Sequence, residues 1–259
     1  ENFVIIDKTD VPERVIGELD LFAAPLMVHD GAIYIHESRQ YHVDQLDWPR
    51  RKAYVRQVSV DYYTDAQLKS DLKVLEIFDS IQQDSNSRNV GEVAVTSVAT
   101  MYKKIKFNTH ENIGWAKINL PELTMHTQAF WYHLSETVHE ELTIAQQELA
   151  DAMKGAANVL ANVAPLFLMA DPRDISVLPM MRDTHSQKPT IFIWELYPGG
   201  VGYCRKLFQI YGDVLQTAID LIEQCKCHNG CPSCVGPALE VGDSGKAGTI
   251  ALLRYMLKH

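Results

Sequence analysis

The sequence predicts an α+β protein: an antiparallel, barrel-like, β-rich region at the N-terminus, then a helix-rich domain with a short sheet. Two features of the apolar pattern support this. Through residues 1–120, short runs alternate in polarity and end at turn residues, as strands do. Beyond Pro121 the period of the apolar residues lengthens to the spacing of a helix. With 259 residues, of which 46% are hydrophobic, the chain can bury a substantial core. We therefore predict two domains, 1–120 and 121–259.

The N-terminal region is predicted to consist of short antiparallel strands. Residues 32–60 are expected to form a three-stranded meander, with turns at 37–39 and 47–50, where proline and short polar residues favour tight loops. The polar segment 79–92 carries Asn, Ser and Gly, and it predicts an exposed hairpin loop. Further strands are expected in the runs VIID, VLEIF, EVAVTSVATMYKKIKF and GWAKINL.

One long amphipathic helix is predicted after residue 135. Ser135 is a suitable N-cap, and Pro165 marks the expected end of the helix. Apolar residues follow at alternating spacings of four and three: Val138, Leu142, Ala145, Leu149, Ala152, Ala156, Val159 and Val163. A loop, DPRDISVLP, is expected to lead into a buried strand at 190–196.

A glycine turn, YPGGVGY, is predicted to join this strand to a second long helix, which runs to Cys225. A final helix, capped by Asp243 or Ser244, is expected to close the chain. The helical domain is thus predicted to contain three main helices and little sheet.

Four of the five cysteines lie in one run, CKCHNGCPSCVGP, with C-x-C-x3-C-x2-C spacing. Four thiolates this close can surround one tetrahedral Zn²⁺ at roughly 2.3 Å per bond. The predicted ligands are Cys225, Cys227, Cys231 and Cys234. His228 is expected to lie outside the closed shell, and Cys204 is expected to be a semi-buried thiol. Two disulfides are the alternative, but disulfides are typical of small secreted frameworks. We predict one structural zinc ion.

The PGGVG turn is a candidate anion site, because backbone N–H groups and the dipole of a following helix can hold an anion. Its candidate residues are Gly199, Gly200 and Gly202. The alternative is steric, since glycines let a chain reverse sharply, and the dinucleotide fingerprint is incomplete. The nearby acids Glu195, Asp171 and Asp174 have no nucleophile partner in a recognisable arrangement, which favours structural roles.

The segment EVGDSGKAGT is similar to a phosphate-binding loop but lacks two of its residues. Glu240 stands where the first glycine belongs, and Ala247 replaces the Ser or Thr that would bind Mg²⁺. We therefore do not expect this chain alone to bind or hydrolyse ATP, and we predict no catalytic residue in it.

A formal net charge of −9 argues against a surface that binds nucleic acid everywhere, but it allows a local basic patch. Two segments combine basic and aromatic residues, which suits single-stranded nucleic acid. Their candidate DNA contacts are Lys103, Lys104 and Lys106, and Arg50, Arg51 and Lys52. Alternatively, these residues form solvated strand faces or charged sheet edges.

No apolar run approaches the ~20 residues of a membrane span, and ENFVIIDKTD lacks the features of an export signal. We expect a cytoplasmic protein without membrane contact. The chain begins with Glu1 rather than Met, which indicates a piece of a longer protein.

The motif order PELTMHTQAFWYHL, DPRDI, IFIWELYPGGVGY and CKCHNGCPSCVGP, with a closing helix from Lys246, resembles a known domain. It is similar to the zinc-binding C-terminal domain of mitomycin repair factor A (YprA-type) superfamily-two DNA helicases. The segments VIGELD, GAIYIHESRQYHVDQLD and VDYYT resemble the part that precedes that domain, so the resemblance covers nearly the whole chain. One departure is Glu195, where Asp is more usual.

The resemblance implies an accessory region of an ATP-dependent 3′–5′ DNA helicase that acts in DNA repair. Zinc would be bound by the four cysteines of the array. The partners would be the helicase core lobes of the same polypeptide and single-stranded DNA. The alternatives are a free-standing protein-interaction module and a phosphate-binding enzyme that uses the PGGVG turn, with Glu195 or Asp174 as acid or base.

Overall fold

The computed structural model describes residues 2–259 and confirms the α+β class, with strands concentrated in the first half of the chain and helices in the second. The chain divides into two compact units. The first contains Glu1–Asp71 and Thr96–Thr124, and the second contains Leu72–Val95 and Met125–His259.

The first sheet has five strands in the order β2-β1-β5-β4-β3. They are β1 (Asn2–Asp7), β2 (Arg14–Asp20), β3 (Ile33–His36), β4 (Arg39–Asp47) and β5 (Lys52–Val58), with a short helix α1 (Ala24–Met27) before β3. All neighbouring strands are antiparallel except β1 and β5, which run parallel. The predicted meander within 32–60 is therefore confirmed. Alternate residues of β1, β4 and β5 form the core, among them Phe3, Ile5, Tyr41, Val43 and Val55.

The second sheet follows the order β10-β11-β9-β7-β6, and β8 pairs with β7. Its strands are β6 (Tyr62–Gln83), β7 (Asn86–Lys106), β8 (Asn112–Lys117), β9 (Leu123–His133), β10 (Ile175–Met180) and β11 (Thr190–Glu195). The buried strand predicted at 190–196 is confirmed as β11, every residue of which is buried.

The hairpin predicted at 79–92 is present, but the long exposed loop is wrong, because β6 and β7 occupy nearly all of that segment. Only Asp84 and Ser85 separate the two strands, and Asp84 takes the left-handed φ of 53° that a two-residue hairpin turn favours. The side chain of Asn86 is buried, where it accepts from the N–H of Ser135 and donates to the hydroxyl of Tyr255. A polar residue can be buried when its hydrogen bonds are satisfied, and polarity alone does not reveal such partners.

The helices are α2 (Val138–Glu141), α3 (Gln146–Leu168), α4 (Tyr203–Gln224), α5 (Ala238–Val241) and α6 (Gly245–Lys258), with a 3₁₀ turn at Pro172–Asp174. The single helix predicted from residue 135 is wrong at both ends. Thr143, with φ of 56°, interrupts it between α2 and α3, and α3 continues past Pro165 to Leu168. The apolar spacing conceals the interruption because Leu142 packs against the same core as α3.

The loop predicted at DPRDISVLP is also wrong, since most of it forms β10, which pairs antiparallel with β11. The predicted helix that ends at Cys225 is confirmed as α4, and the closing helix as α6, with Ser244 as its N-cap residue. Helices α3, α4 and α6 enclose one apolar core together with β9 and β11. Among residues 2–259, no helix combines the length and hydropathy needed to cross a membrane.

Candidate metal centre and basic surfaces

The structure brings the four cysteines of the array into one cluster. The Sγ–Sγ distances are 3.5 Å for Cys225–Cys227, 3.6 Å for Cys225–Cys231, and 3.5 Å for both Cys227–Cys234 and Cys231–Cys234. Four sulfurs around a tetrahedral Zn²⁺ lie about 3.8 Å apart when each bond is about 2.3 Å. A disulfide needs about 2.05 Å between sulfurs, and all four cysteines are free. The geometry fits a tetrathiolate zinc site, not a pair of disulfides.

Local backbone turns place the sulfurs. Cys225 caps the C-terminus of α4, and the N–H groups of Cys234 and Gly236 both donate to the carbonyl of Cys231, at 3.0 and 2.9 Å. Gly230 has φ of 144°, and a Cβ there would lie 2.5 Å from the carbonyl oxygen of Gly236. Glycine is therefore required at position 230, as expected for a metal-binding turn.

Two other helices hold the cysteine turns from outside. Asn158 of α3 donates its side-chain amide to the carbonyls of Pro232 and Cys234, at 3.1 and 2.6 Å. Lys246 of α6 donates its ammonium to the carbonyls of Cys225 and Cys227, at 2.6 and 2.9 Å. The site is thus tied to three helices, and the lysine of the segment that is similar to a phosphate loop is already engaged.

The cysteines differ in their acidity. The backbone N–H of Cys227 lowers the pKa of Cys225 to about 7, whereas burial raises the pKa of Cys234 to about 12. Bringing four thiolates together without a cation is unfavourable, and metal binding to such a site releases protons. A divalent cation would supply the charge that lets all four sulfurs act as thiolates.

Comparison with known proteins agrees with this geometry, since residues 156–235 match the family described as the MrfA Zn-binding domain. Within these residues the chain is similar to an MrfA-type zinc-binding domain. This confirms the resemblance inferred from the motifs and the prediction of zinc as the cofactor.

The similarity extends beyond that domain. The chain is 43% identical over 257 residues to the ATP-dependent helicase YprA of Bacillus subtilis, covering 99% of this chain and 34% of YprA. It is 24% identical over 274 residues to the ATP-dependent helicase HRQ1 of Saccharomyces cerevisiae, covering 100% of this chain and 25% of HRQ1.

Two solved structures show the same fold. A crystal structure of the DUF1998 helicase MrfA bound to DNA matches with a TM-score of 0.67 and 42% identity, covering 99% of this chain and 34% of that one. A crystal structure of the DUF1998 helicase MrfA matches with a TM-score of 0.73 and 36% identity, covering 97% of this chain and 34% of that one. The chain spans about a third of the length of these helicases, and a quarter of HRQ1.

The PGGVG turn of the MrfA-type domain surrounds a carboxylate of the chain itself. Glu195, fully buried at the end of β11, accepts from the N–H groups of Val201, Gly202 and Cys204, at 3.1 Å from Gly202 and 2.9 Å from Cys204. The N–H groups of the other two candidate glycines donate to backbone carbonyls: Gly199 to His126 at 2.8 Å and Gly200 to Tyr197 at 2.9 Å.

The N–H groups of all three candidate glycines therefore have partners within the chain, and the turn needs no external anion. Nothing in the local sequence revealed that the acid at position 195 turns inward. The one feature that could have indicated it is the position of this acid at the end of a buried strand, a few residues before a glycine turn.

The two aspartates near this turn have local partners as well. Asp171 accepts from the backbone and side chain of Arg173, which lowers the pKa of Asp171 to about 2. Asp174 accepts from the hydroxyl of Tyr197 at 2.7 Å. These contacts give both aspartates structural roles. Cys204 is fully buried, so the expectation of a semi-buried thiol was wrong.

The structure divides the predicted basic patch of β7 between two faces. Lys104 lies over the ring of Tyr62, 5.5 Å from its centroid, and Lys106 lies 3.9 Å from a carboxylate oxygen of Glu111. Tyr102, which precedes Lys103, is buried, with its ring 4.5 Å from that of His29. Lys103 points to the opposite face, because side chains alternate along a strand.

The second predicted patch lies at the turn between β4 and β5. Arg50 is exposed, and its guanidinium lies 3.6 Å from a carboxylate oxygen of Asp47. Arg51 has φ of 55°, and its carbonyl accepts from the N–H of Val4 at 2.9 Å. Lys52 opens β5 opposite Asp47. The turn thus presents basic side chains together with an acidic partner.

A buried polar cluster was missed by the sequence reasoning. Nε2 of His133 accepts from the indole N–H of Trp131 at 3.0 Å, and Nδ1 lies 3.1 Å from the hydroxyl of Ser186 and 2.9 Å from that of Thr190. Both hydroxyls also donate to Asp183. Burial lowers the pKa of His133 to about 4.

These contacts fix the tautomer of the His133 ring. Because Nε2 is an acceptor, the neutral ring carries its proton on Nδ1, the nitrogen next to Ser186. A nitrogen that already carries a proton cannot accept one from the Ser186 hydroxyl. The Ser–His–Asp grouping therefore stabilises the fold and lacks the arrangement of a nucleophilic triad.

Proposed function

We propose that this chain is the C-terminal accessory region of an ATP-dependent 3′–5′ DNA helicase that acts in DNA repair. The similarity to YprA over 99% of the chain carries the proposal, and the four-cysteine centre supports it. A DUF1998 helicase MrfA that matches this fold was crystallised with DNA. The ATP-binding lobes would lie in the remainder of the longer protein. This region would brace those lobes and guide the single strand, and by itself it would be non-catalytic.

The zinc ion would be structural, with Cys225, Cys227, Cys231 and Cys234 as its ligands. Four protein ligands close the coordination shell and leave no position for substrate. Because α4 leads into the site while α3 and α6 donate to its carbonyls, the metal would fix the ends of these helices as one rigid unit. We keep residues 1–120 and 121–259 as the proposed division into a β-rich region and a zinc-binding domain. The cytoplasmic location remains a prediction.

The zinc assignment is tested by replacing one ligand. Cys231→Ser should lose the stoichiometric zinc, and the C-terminal third of the chain should become sensitive to protease, because binding of the metal is coupled to local folding. Cys204→Ala is the matched control, since Cys204 is buried outside the cluster and its variant should keep one zinc per chain. Elemental analysis of freshly reduced protein measures both. A full complement of zinc in Cys231→Ser would show that the ligand set is wrong.

The helicase assignment is tested on the whole protein. ATP-dependent unwinding of a duplex with a 3′ single-stranded overhang should be present, and Cys231→Ser should reduce it while Cys204→Ala does not. A whole protein that neither hydrolyses ATP in the presence of DNA nor unwinds the duplex would refute the proposed class. If the 259-residue chain binds no single-stranded DNA at low or moderate salt, its role is bracing alone.

A further inference from the structure

We propose that Trp115 is a base-stacking residue for single-stranded DNA and that Lys103 and Lys117 bind the flanking phosphates. This inference rests on the proposed function and names the surface that would contact the single strand. This surface, called the Trp115 face below, lies on β7 and β8 in the first compact unit.

The register of β7 and β8 places these side chains together. Lys103 is directly opposite Trp115, and Met101 is directly opposite Lys117. Side chains of directly opposed residues project from the same face, with Cβ atoms about 5 Å apart, and the next pair lies about 7 Å along the strands. The Trp115 face therefore presents an indole with one ammonium across the sheet and another along the strand.

The opposite side of the same strands is buried. Tyr102, Ala116 and Ile118 alternate with the residues of the Trp115 face and pack in a small cluster with Ala99. The inward positions already supply the packing that holds β8 to β7. The exposed tryptophan is therefore not needed to close this core.

Trp115 is far more exposed than a structural tryptophan. Its relative exposure is 60%, whereas Trp131 and Trp194 are buried and Trp48 packs on the ring of Phe3, 4.9 Å away. Tryptophan is highly buried on average. In the part of the chain that the structure describes, residues 2–259, Trp115 stacks on no ring, and neither Lys103 nor Lys117 has an ion-pair partner.

The chemistry of the face favours single-stranded nucleic acid over other occupants. An exposed indole offers a platform to any base, and lysines beside it complement the phosphates, which is how proteins bind single strands without sequence preference. Bases inside a duplex are stacked on each other and cannot reach such a platform. The paired positions of the face contain no acidic residue, although the whole chain is acidic.

The test measures binding of the 259-residue chain to a fluorescein-labelled oligothymidine by anisotropy at several NaCl concentrations. Trp115→Ala should raise Kd roughly 5- to 150-fold, the range for loss of one base–aromatic stack. Trp115→Phe should stay within about threefold of the wild type, because an aromatic ring remains. Trp115→Ala should not change the salt dependence, whereas Lys103→Ala and Lys117→Ala should each reduce the slope of log K against log[salt] by about 0.7.

Lys8→Ala is the matched charge control, since Lys8 directly follows β1 of the other sheet, forms an ion pair with Glu13 and lies over the ring of Tyr54. It should leave Kd unchanged. Unchanged far-ultraviolet circular dichroism and Tm would show that each variant is folded, as expected for exposed positions.

Three results would overturn the inference. If Trp115→Ala binds the oligonucleotide as tightly as the wild type, the face does not stack bases, and a DNA-guiding role elsewhere on the chain stands. If Trp115→Ala keeps full DNA affinity but abolishes ATP-dependent unwinding by the whole protein, the face is a protein contact. A wild-type chain that binds no single strand removes both the inference and the DNA-guiding role, while ATP-dependent unwinding by the whole protein would leave the helicase class intact.

Discussion

Replacing Glu195 by Gln tests whether the carboxylate holds the glycine turn. One carboxylate oxygen accepts from Val201 and Gly202, and the other accepts from Cys204. Gln would place its single oxygen where two donors converge, and its NH₂ would then face the N–H of Cys204. One buried donor loses its acceptor, and two charge-assisted bonds become neutral ones.

The expected cost is ~2–4 kcal/mol in the free energy of unfolding. An unsatisfied buried donor costs about 1–3 kcal/mol, and each bond that loses its charge weakens by about 1 kcal/mol. Gln is neutral, so the variant no longer buries a charge at position 195, and this gain offsets part of the expected cost. Chemical denaturation followed by tryptophan fluorescence measures the change, since Trp194 is adjacent to the substitution in β11.

Glu240→Gln makes the same chemical change at an exposed position, and it should alter stability by less than about 0.5 kcal/mol. If Glu195→Gln is equally mild, the carboxylate does not organise the turn and the reasoning is refuted. In that case the N–H groups of Val201, Gly202 and Cys204 would become candidates for binding an external anion.

Three further predictions concern other parts of the second unit. The Lys246→Met variant should release zinc to a chelator about 10- to 100-fold faster than the wild type, because Lys246 donates to the backbone carbonyls of two ligands. The control is Lys226→Met, at an exposed lysine between the ligands, which should release zinc at the wild-type rate. Equal release rates for the two variants would contradict a role of Lys246 in holding the site. For His133 the pKa is about 4 folded and 6.5 unfolded, so the unfolded chain binds the proton more tightly and stability falls as pH drops from about 7 towards 4. Between pH 7.5 and pH 5 the free energy of unfolding of the wild type, measured by chemical denaturation, should fall by about 2 kcal/mol more than that of His133→Gln. Equal losses in the two proteins would contradict the lowered pKa of His133. Gly155→Ala should cost about 1–3 kcal/mol, since a Cβ there would lie 2.0 Å from the hydroxyl oxygen of Thr249 on α6; unchanged stability would mean that α3 and α6 separate freely.

Much of the fold was predictable from local patterns. The alternation in residues 32–60 located three strands, and the apolar run at 190–196 located β11, because both signals depend on neighbours in sequence. The errors arose where distant residues decide the outcome. Asn86 is a residue type typical of loops, but Ser135 and Tyr255 satisfy its hydrogen bonds in the structure. Residues 171–179 were predicted as a loop, but most of them belong to the strand that pairs with β11.

The cysteine spacing by itself determined the zinc centre, because four ligands within ten residues, with a glycine among them, can converge through local turns alone. Only the tertiary structure decided which residues surround that centre and which side chains share the other sites and surfaces of the chain. The inward turn of Glu195, the contact of Lys246 with ligand carbonyls, and the pairing of Lys103 with Trp115 each join residues that strand register or helix packing brings together. Such contacts depend on the order in which elements pack, and no local spacing encodes that order.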